Sequence, residues 1–225
     1  MTAAASPVPV IAIDGPSASG KGTVAAKVAE LLGFRYLDSG ALYRLVALAA
    51  IRGGADLEDE DALARIAANM NVEFRAGRSS LEGRDVTEEV RTEEVGVAAS
   101  RVAARPRVRQ ALLGRQRAFR TPPGLVADGR DMGSVVFPDA PLKVYLTAGV
   151  ETRADRRYKQ LMEKGMYAKM GDVVEELRRR DERDSSRPVA PLKHYPDAIF
   201  LDTTNLSVAQ AVEKILDWWR EKSRG

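Results

Sequence analysis

The run Gly15-Pro16-Ser17-Ala18-Ser19-Gly20-Lys21-Gly22-Thr23 has the residue types and the G-x-x-x-x-G-K spacing of a phosphate cradle. Glycines let a backbone curl until successive N–H groups face one anion, and a lysine at the end of the curl reaches the outer phosphates of a nucleotide. A helix opening at Lys21 adds the partial positive charge of its N-terminus. Lys21 is therefore a candidate catalytic residue, and Gly15 to Thr23 a candidate loop for ATP. Gly22 follows the lysine and the hydroxyl is displaced to Thr23, so a hydroxyl ligand for Mg²⁺ is not assured. Asp128 closes an apolar run, the position of an acid that holds magnesium or of one that caps the next turn.

Arginine carries most of the positive charge, with 26 Arg against 9 Lys. A guanidinium offers phosphate two parallel donors, which an ammonium cannot. Arg44 and Arg130 fall at the ends of apolar runs, where α/β sheets bind ligands, or else make surface ion pairs. Arg153, Arg156 and Arg157 share one helical face. They read as arginines over a donor nucleotide, Arg157 among them contacting ATP, or as a solvated face. Asp131, next to Arg130, offers a carboxylate that can accept a hydrogen bond from an amino group.

The elements that must position these groups can be read from pattern. Val8–Ile13 is an unbroken apolar run, as expected of a strand covered on both faces. A helix follows over Lys21–Leu32, stopped by Gly33, then a strand at Phe34–Leu37 and helices at Ala41–Ile51 and Leu63–Met70. Val72–Arg75 and Ser79–Val86 flank Ala76-Gly77-Arg78 as a hairpin. Helices are expected at about Glu88–Ala104 and Arg107–Arg120, then strands at Leu125–Asp128, Leu142–Leu146 and Ala198–Leu201. Further helices fall at about Glu151–Lys164 and Asp172–Arg183, and a last one runs from Ser207, with Gln210 completing a capping box, to about Lys222. Strands alternating with helices imply right-handed parallel crossovers. The fold class is α/β, with a five-stranded parallel sheet flanked by helices. One domain is expected: a core of about residues 7–62 and 122–225, a small inserted acceptor-binding lobe with a β-hairpin at about 63–121, and a helical lid at about 153–190.

Several stretches taken together resemble the bacterial cytidylate kinases, in the nucleoside monophosphate kinase family of P-loop kinases. They are Ile13-Asp14-Gly15-Pro16, Leu37-Asp38-Ser39-Gly40-Ala41-Leu42-Tyr43-Arg44, Asp128-Gly129-Arg130-Asp131-Met132-Gly133 and Arg180-Asp181-Glu182-Arg183-Asp184. Arg187-Pro188-Val189-Ala190-Pro191-Leu192 and Leu201-Asp202-Thr203-Thr204 match too, so the likeness spans nearly the whole chain. The Gly-Lys-Gly-Thr form resembles kinases in which magnesium is held by phosphates and water. The resemblance implies transfer of the γ-phosphoryl group of ATP to CMP or dCMP, in pyrimidine nucleotide metabolism. It implies that Ser39, Arg44, Ser100, Arg109, Arg130, Asp131, Asp184 and Arg187 bind CMP, Arg44, Arg130 and Arg187 at its phosphate and Asp184 at its sugar. Asp184 equally suits a structural pair with Arg183 or Arg187. Arg180 and Arg187, on the lid, are the further candidate catalytic residues.

The chemistry asks little of a protein base. The acceptor monophosphate has a second pKa near ~6 and is already an anion at neutral pH. His194, the single histidine, is not needed as one. Positioning and charge neutralisation remain, together with a lid that keeps water from the γ-phosphate. Asn-Lys-x-Asp and Asp-x-x-Gly are both missing, which argues against a GTPase switch. Other kinases, acting on AMP, UMP or shikimate, share the loop.

A chain of 225 residues with 44% hydrophobic residues can bury a core, and without cysteine it has no disulfide and no Cys-ligated zinc. Met1–Pro9 lacks the pattern of a secretory signal and no apolar run reaches the ~20 residues of a membrane helix, so the expectation is a cytoplasmic protein without membrane contact. Net charge is +3, with twelve acidic against five basic residues over 54–94 and seven arginines without an acid over 101–120. That basic stretch holds one aromatic, Phe119, and so no series of stacking platforms for single strands. No nucleic-acid partner is expected, and the family implies a monomer.

Overall fold

The computed structural model describes residues 7–75, 77–163 and 165–224. Ala76 of the expected hairpin turn, Lys164 at an expected helix end and most of the stretch read for a signal, residues 1–6, lie outside the described residues. The chain divides into two compact units, Met1–Leu37 with Arg117–Gly225, and Asp38–Gln116.

In the first unit the five residues of β1 (Val10–Asp14) are all buried. The first four, Val10 to Ile13, are apolar on both faces because β1 is the central strand of the five-stranded parallel sheet. The order is β2 (Arg35–Asp38), β6 (Leu125–Gly129), β1, β7 (Leu142–Thr147), β8 (Ile199–Asp202). Ile13 pairs with Asp128 and with Val144, and Asp14 with Gly129 and Tyr145. The chain thus leaves β1 with a neighbour on either side, the arrangement that opens a crevice at the carboxyl ends of such strands.

Helix α1 (Lys21–Leu32) turns Val24, Ala25, Val28 and Ala29 into a core shared with Ile11, Ile13 and Val144 of the sheet and with Ala211, Val212 and Ile215 of α8 (Val208–Arg224). Gly33 ends α1 at φ 65, a left-handed position that favours glycine. The expected capping box starts α8: the Ser207 amide donates to Gln210 Oε1 at 2.9 Å, and the Gln210 amide to Ser207 Oγ at 3.3 Å. Helices α6 (Val150–Glu163) and α7 (Met170–Ser186) form a pair with a small core of their own, Ala154, Leu161, Val173 and Leu177, against which Ala18 of the glycine-rich loop packs. A single π-helical turn, Met132–Val136, follows β6 and had no counterpart in the sequence reading.

The second unit is built from α2 (Ser39–Arg52), α3 (Glu60–Asn69), α4 (Glu93–Val102) and α5 (Pro106–Ala118) with a separate small sheet. Helix α2 begins at Ser39, two residues before the expected start, because the Asp38 carboxylate accepts from the Ala41 amide and caps it. The sheet has three antiparallel strands, β3 (Val72–Arg75), β4 (Arg78–Leu81) and β5 (Arg84–Asp85), in place of a plain hairpin. Gly83 at φ 75 turns the chain within the segment read as one strand. The single helix expected over Glu88–Ala104 is a 3-10 turn, Glu89–Arg91, followed by α4. Thr92, extended and accepting from the Val95 amide, caps α4 and breaks the run.

Candidate active site

The glycine-rich loop joins β1 to α1 at the carboxyl edge of the sheet. Gly15 lies against β7 so closely that a Cβ would fall 1.9 Å from the Leu146 carbonyl oxygen. Ala18 (φ 57) and Gly20 (φ 89) take left-handed conformations that curl the loop, and Gly20 caps α1 without a side-chain bond. The loop is shaped from behind. Arg153 of α6 donates to the Ser17 carbonyl at 3.2 Å and Arg156 to the Ser19 carbonyl at 2.8 Å. The Thr203 hydroxyl, past β8, lies 3.2 Å from the same Ser19 oxygen and 2.9 Å from the Thr147 carbonyl. In a trans peptide the next N–H points opposite the carbonyl, so anchoring the oxygens of residues 17 and 19 outward turns the amides of Ala18 and Gly20 toward the concavity. Lys21 Nζ lies 3.4 Å from the Pro16 carbonyl, folded over the loop. The Ser19 hydroxyl is buried and makes no hydrogen bond among the described residues. Thr23 is exposed on the first turn of α1.

Reading Arg153, Arg156 and Arg157 as a solvated face is corrected for the first two. Arg153 is buried, also holding the Ala148 carbonyl at 2.9 Å and Asp181 of α7 at 2.6 Å. Arg156 holds the Thr203 carbonyl at 2.7 Å as well as the loop. Arg157 is half-buried on α6.

At the end of β6, Arg130 donates to Asp184 of α7 at 2.7 Å, to the Ser17 hydroxyl at 2.8 Å and to the Gly129 carbonyl at 3.2 Å. Asp184 is 4% exposed. It forms an ion pair with Arg130, a partner the sequence did not suggest, and the charges of Arg187 and Arg180 act on it as well. Burial alone would raise the Asp184 carboxyl, but the charge and hydrogen bond of Arg130 outweigh it and hold the group below the usual carboxylate range. Arg187 is buried, donating to the Ala190 carbonyl at 2.8 Å, and Arg180 lies one turn before Asp184 on α7.

Asp131 is 2% exposed, directly before the π-helical turn. That turn hangs on Asp14, whose carboxylate accepts from the Met132 amide at 2.8 Å and the Gly133 amide at 2.9 Å. Burial pushes the Asp14 carboxyl up to about 6, although both amide bonds pull the other way. Asp128 is buried, and the Tyr36 hydroxyl donates to its Oδ2 at 2.5 Å.

In the second unit, Ser39 is buried in the first turn of α2, and Arg44, one turn on, donates to the Val90 carbonyl at 2.8 Å. Gly96 of α4 leaves room for that guanidinium: a Cβ there would come within 3.1 Å of both its terminal nitrogens. Ser100 is buried on α4. Arg109 of α5 is buried too, donating to the Ala103 carbonyl at 3.2 Å, with its guanidinium 5.7 Å from the centre of the Tyr43 ring.

The first unit therefore gathers the loop, Lys21, Asp128, Arg130, Asp131, Arg180, Asp184 and Arg187, while Ser39, Arg44, Ser100 and Arg109 belong to the second. Asp14, Tyr36 and Thr203 were not singled out from sequence. Asp14 is polar at the end of an otherwise apolar strand, the one local sign that its carboxylate has a task. Among the described residues no three His, Asp or Glu side chains stand together as a metal cage. Mg²⁺ fits this donor set only as a phosphate-held ion, since it is commonly bound through one or two carboxylates and the substrate's own oxygens. Asp128 is a buried carboxylate near the end of β6.

A glycine-rich loop at the central strand of a parallel sheet, backed by arginines and capped by a helix pair, defines a P-loop nucleotide kinase. The cytidylate kinase family model matches residues 11–221. The chain belongs to the cytidylate kinase family. It is 60% identical over 215 residues to the cytidylate kinase of Chromobacterium violaceum, covering 96% of this chain and 97% of that one. The cytidylate kinase of Bordetella bronchiseptica is 58% identical over 98% of this chain and 99% of its own, and that of Nitrosomonas europaea 58% identical over 95% and 96%. No helix among the described residues is long and apolar enough to cross a membrane.

Proposed function

We propose that this chain, a cytidylate kinase that moves the γ-phosphoryl group of ATP onto CMP or dCMP, assigns the donor to the loop Gly15–Thr23 and the cytosine base to Asp131. The observation that carries this reading is the loop with carbonyls anchored by Arg153 and Arg156, which leaves its amides for phosphate.

Loop amides and Lys21 hold the β- and γ-phosphates, with Arg157 over the donor. Mg²⁺, when bound, neutralises phosphate charge, and Asp128, with Thr23 as a further candidate, is the residue to face it. Arg130, Arg187 and Arg44 receive the acceptor phosphate, Asp184 its sugar, and Ser39, Ser100 and Arg109 complete the acceptor's contacts. Arg180 and Arg187 stabilise charge as the phosphoryl group passes. The acceptor phosphate needs no base, so positioning and charge neutralisation account for the rate.

Binding of an incoming phosphate draws Arg130 into competition between Asp184 and that anion. The acceptor-binding lobe is assigned to about residues 63–121 and the lid to about 153–190, in a cytoplasmic monomer.

The test is a coupled assay of ADP formation with ATP and Mg²⁺ across CMP, dCMP, UMP, AMP and GMP, on wild type and Asp131→Ala. Turnover of CMP, with the variant losing on the order of 10²-fold in its preference for cytosine over uracil, supports both the reaction and the base reader. An unchanged preference in Asp131→Ala removes Asp131 from that role.

A further inference from the structure

Most loops of this kind place a serine or threonine after the lysine, and here that position is Gly22. Two polar groups border the space beside it. A Cβ at Gly22 would lie 3.5 Å from Asp128 Oδ2 and 3.5 Å from the Tyr36 hydroxyl, so a side-chain hydroxyl at 22 would extend from a point these two groups already flank. Tyr36 stands on β2, next to β6 in the sheet, with its hydroxyl 2.5 Å from Asp128 Oδ2 and 3.5 Å from the Gly22 carbonyl. Tyr36 is 36% exposed, too open for its hydroxyl to be explained by core packing alone.

We propose that Tyr36 is a positioning residue for Asp128: its hydroxyl fixes the carboxylate beside Gly22 and so sets how that oxygen pair is presented to the magnesium of the bound donor. The inference rests on the assignment of Asp128 to the metal. A carboxylate without a fixed donor turns about its own axis, and a hydrogen bond from a phenol to a charged oxygen is among the stronger ones available. Glycine at 22 is then the complement of tyrosine at 36. With no hydroxyl at 22, Tyr36 brings one to Asp128 from β2.

The experiment measures ATP affinity calorimetrically, with excess Mg²⁺ and with EDTA, for wild type, Tyr36→Phe and Asp128→Asn, each checked for folding by thermal melting. The readout is the gain in affinity that the metal confers. Tyr36→Phe is expected to lose about 3- to 10-fold of that gain while its metal-free affinity stays at the wild-type value. A full gain in Tyr36→Phe, beside a reduced one in Asp128→Asn, overturns the proposal and leaves Asp128 in place. A full gain in both variants overturns the Asp128 assignment and the proposal with it. Equal loss with and without metal shows that Tyr36 merely supports the loop, which also overturns the proposal.

Discussion

Arg130 donates from Nε to Asp184 Oδ2 at 2.7 Å, joining the end of β6 to α7 by an ion pair whose side chains are 16% and 6% exposed. Removing one partner of such a pair leaves the other charge buried and uncompensated. Asp184→Asn is expected to cost about 3 kcal/mol, and for a chain of this length to lower Tm by roughly 6–12 °C. Scanning calorimetry reads this directly. A variant melting with wild type would mean that solvent already screens the pair.

The two buried carboxylates titrate with opposite sign. Asp14 has its pKa raised from 3.8 to about 6, so the folded state binds its proton more tightly. That contribution is complete below the unfolded value and is lost as pH rises through about 6. Asp184 is lowered, and its contribution is present above the unfolded value and lost as pH falls through the folded one. Urea unfolding of wild type and Asp14→Asn between about pH 4 and 6 should separate them. The stability of wild type relative to the variant is expected to grow toward low pH, by about 2 kcal/mol over that window. A difference independent of pH would refute the raised Asp14.

Gly15→Ala should be severe. The added Cβ meets the Leu146 carbonyl at 1.9 Å, and both partners are main chain, so no rotamer change relieves it. Strands β1 and β7 must part, at a cost above the ~1–3 kcal/mol usual for overpacking. Melting temperature and ATP affinity should fall together in this variant. Wild-type values for both would show that the loop can shift as a body.

Closure of the α6–α7 pair is testable by proteolysis. Arg178 and Arg179 of α7 have side chains 65% and 70% exposed, and Tyr167 between the helices is exposed, so trypsin and chymotrypsin both have sites within about residues 153–190. ATP and CMP together are expected to slow cleavage there several-fold more than either alone. Identical cutting with and without both nucleotides would tell against a lid.

The residues proposed to bind phosphate were more legible than those that hold them in place. Gly15 to Thr23 announces itself because a curled backbone needs glycine and an anion needs lysine, and both are local demands. The Ser207–Gln210 capping box was visible for the same reason: its partners are three residues apart. Arg153 and Arg156 were placed on one face correctly, yet their work is done against Ser17 and Ser19, more than a hundred residues away. No spacing rule reaches that far. Similar separations, 92 and 118 residues, hid Tyr36 from Asp128 and Asp14 from Met132. In the small sheet, the turn at Gly83 was lost because alternating polar residues fit one strand as well as two.

The carbonyls of Ser17 and Ser19 are held by Arg153, Arg156 and Thr203, groups belonging to the protein itself. The loop proposed for the donor thus has its shape before any nucleotide arrives, and donor capture need not wait for the acceptor. Kinetically, that means ATP can add before CMP. Initial-rate lines at varied ATP and CMP should intersect, and a dead-end analogue of ATP should compete with ATP and not with CMP.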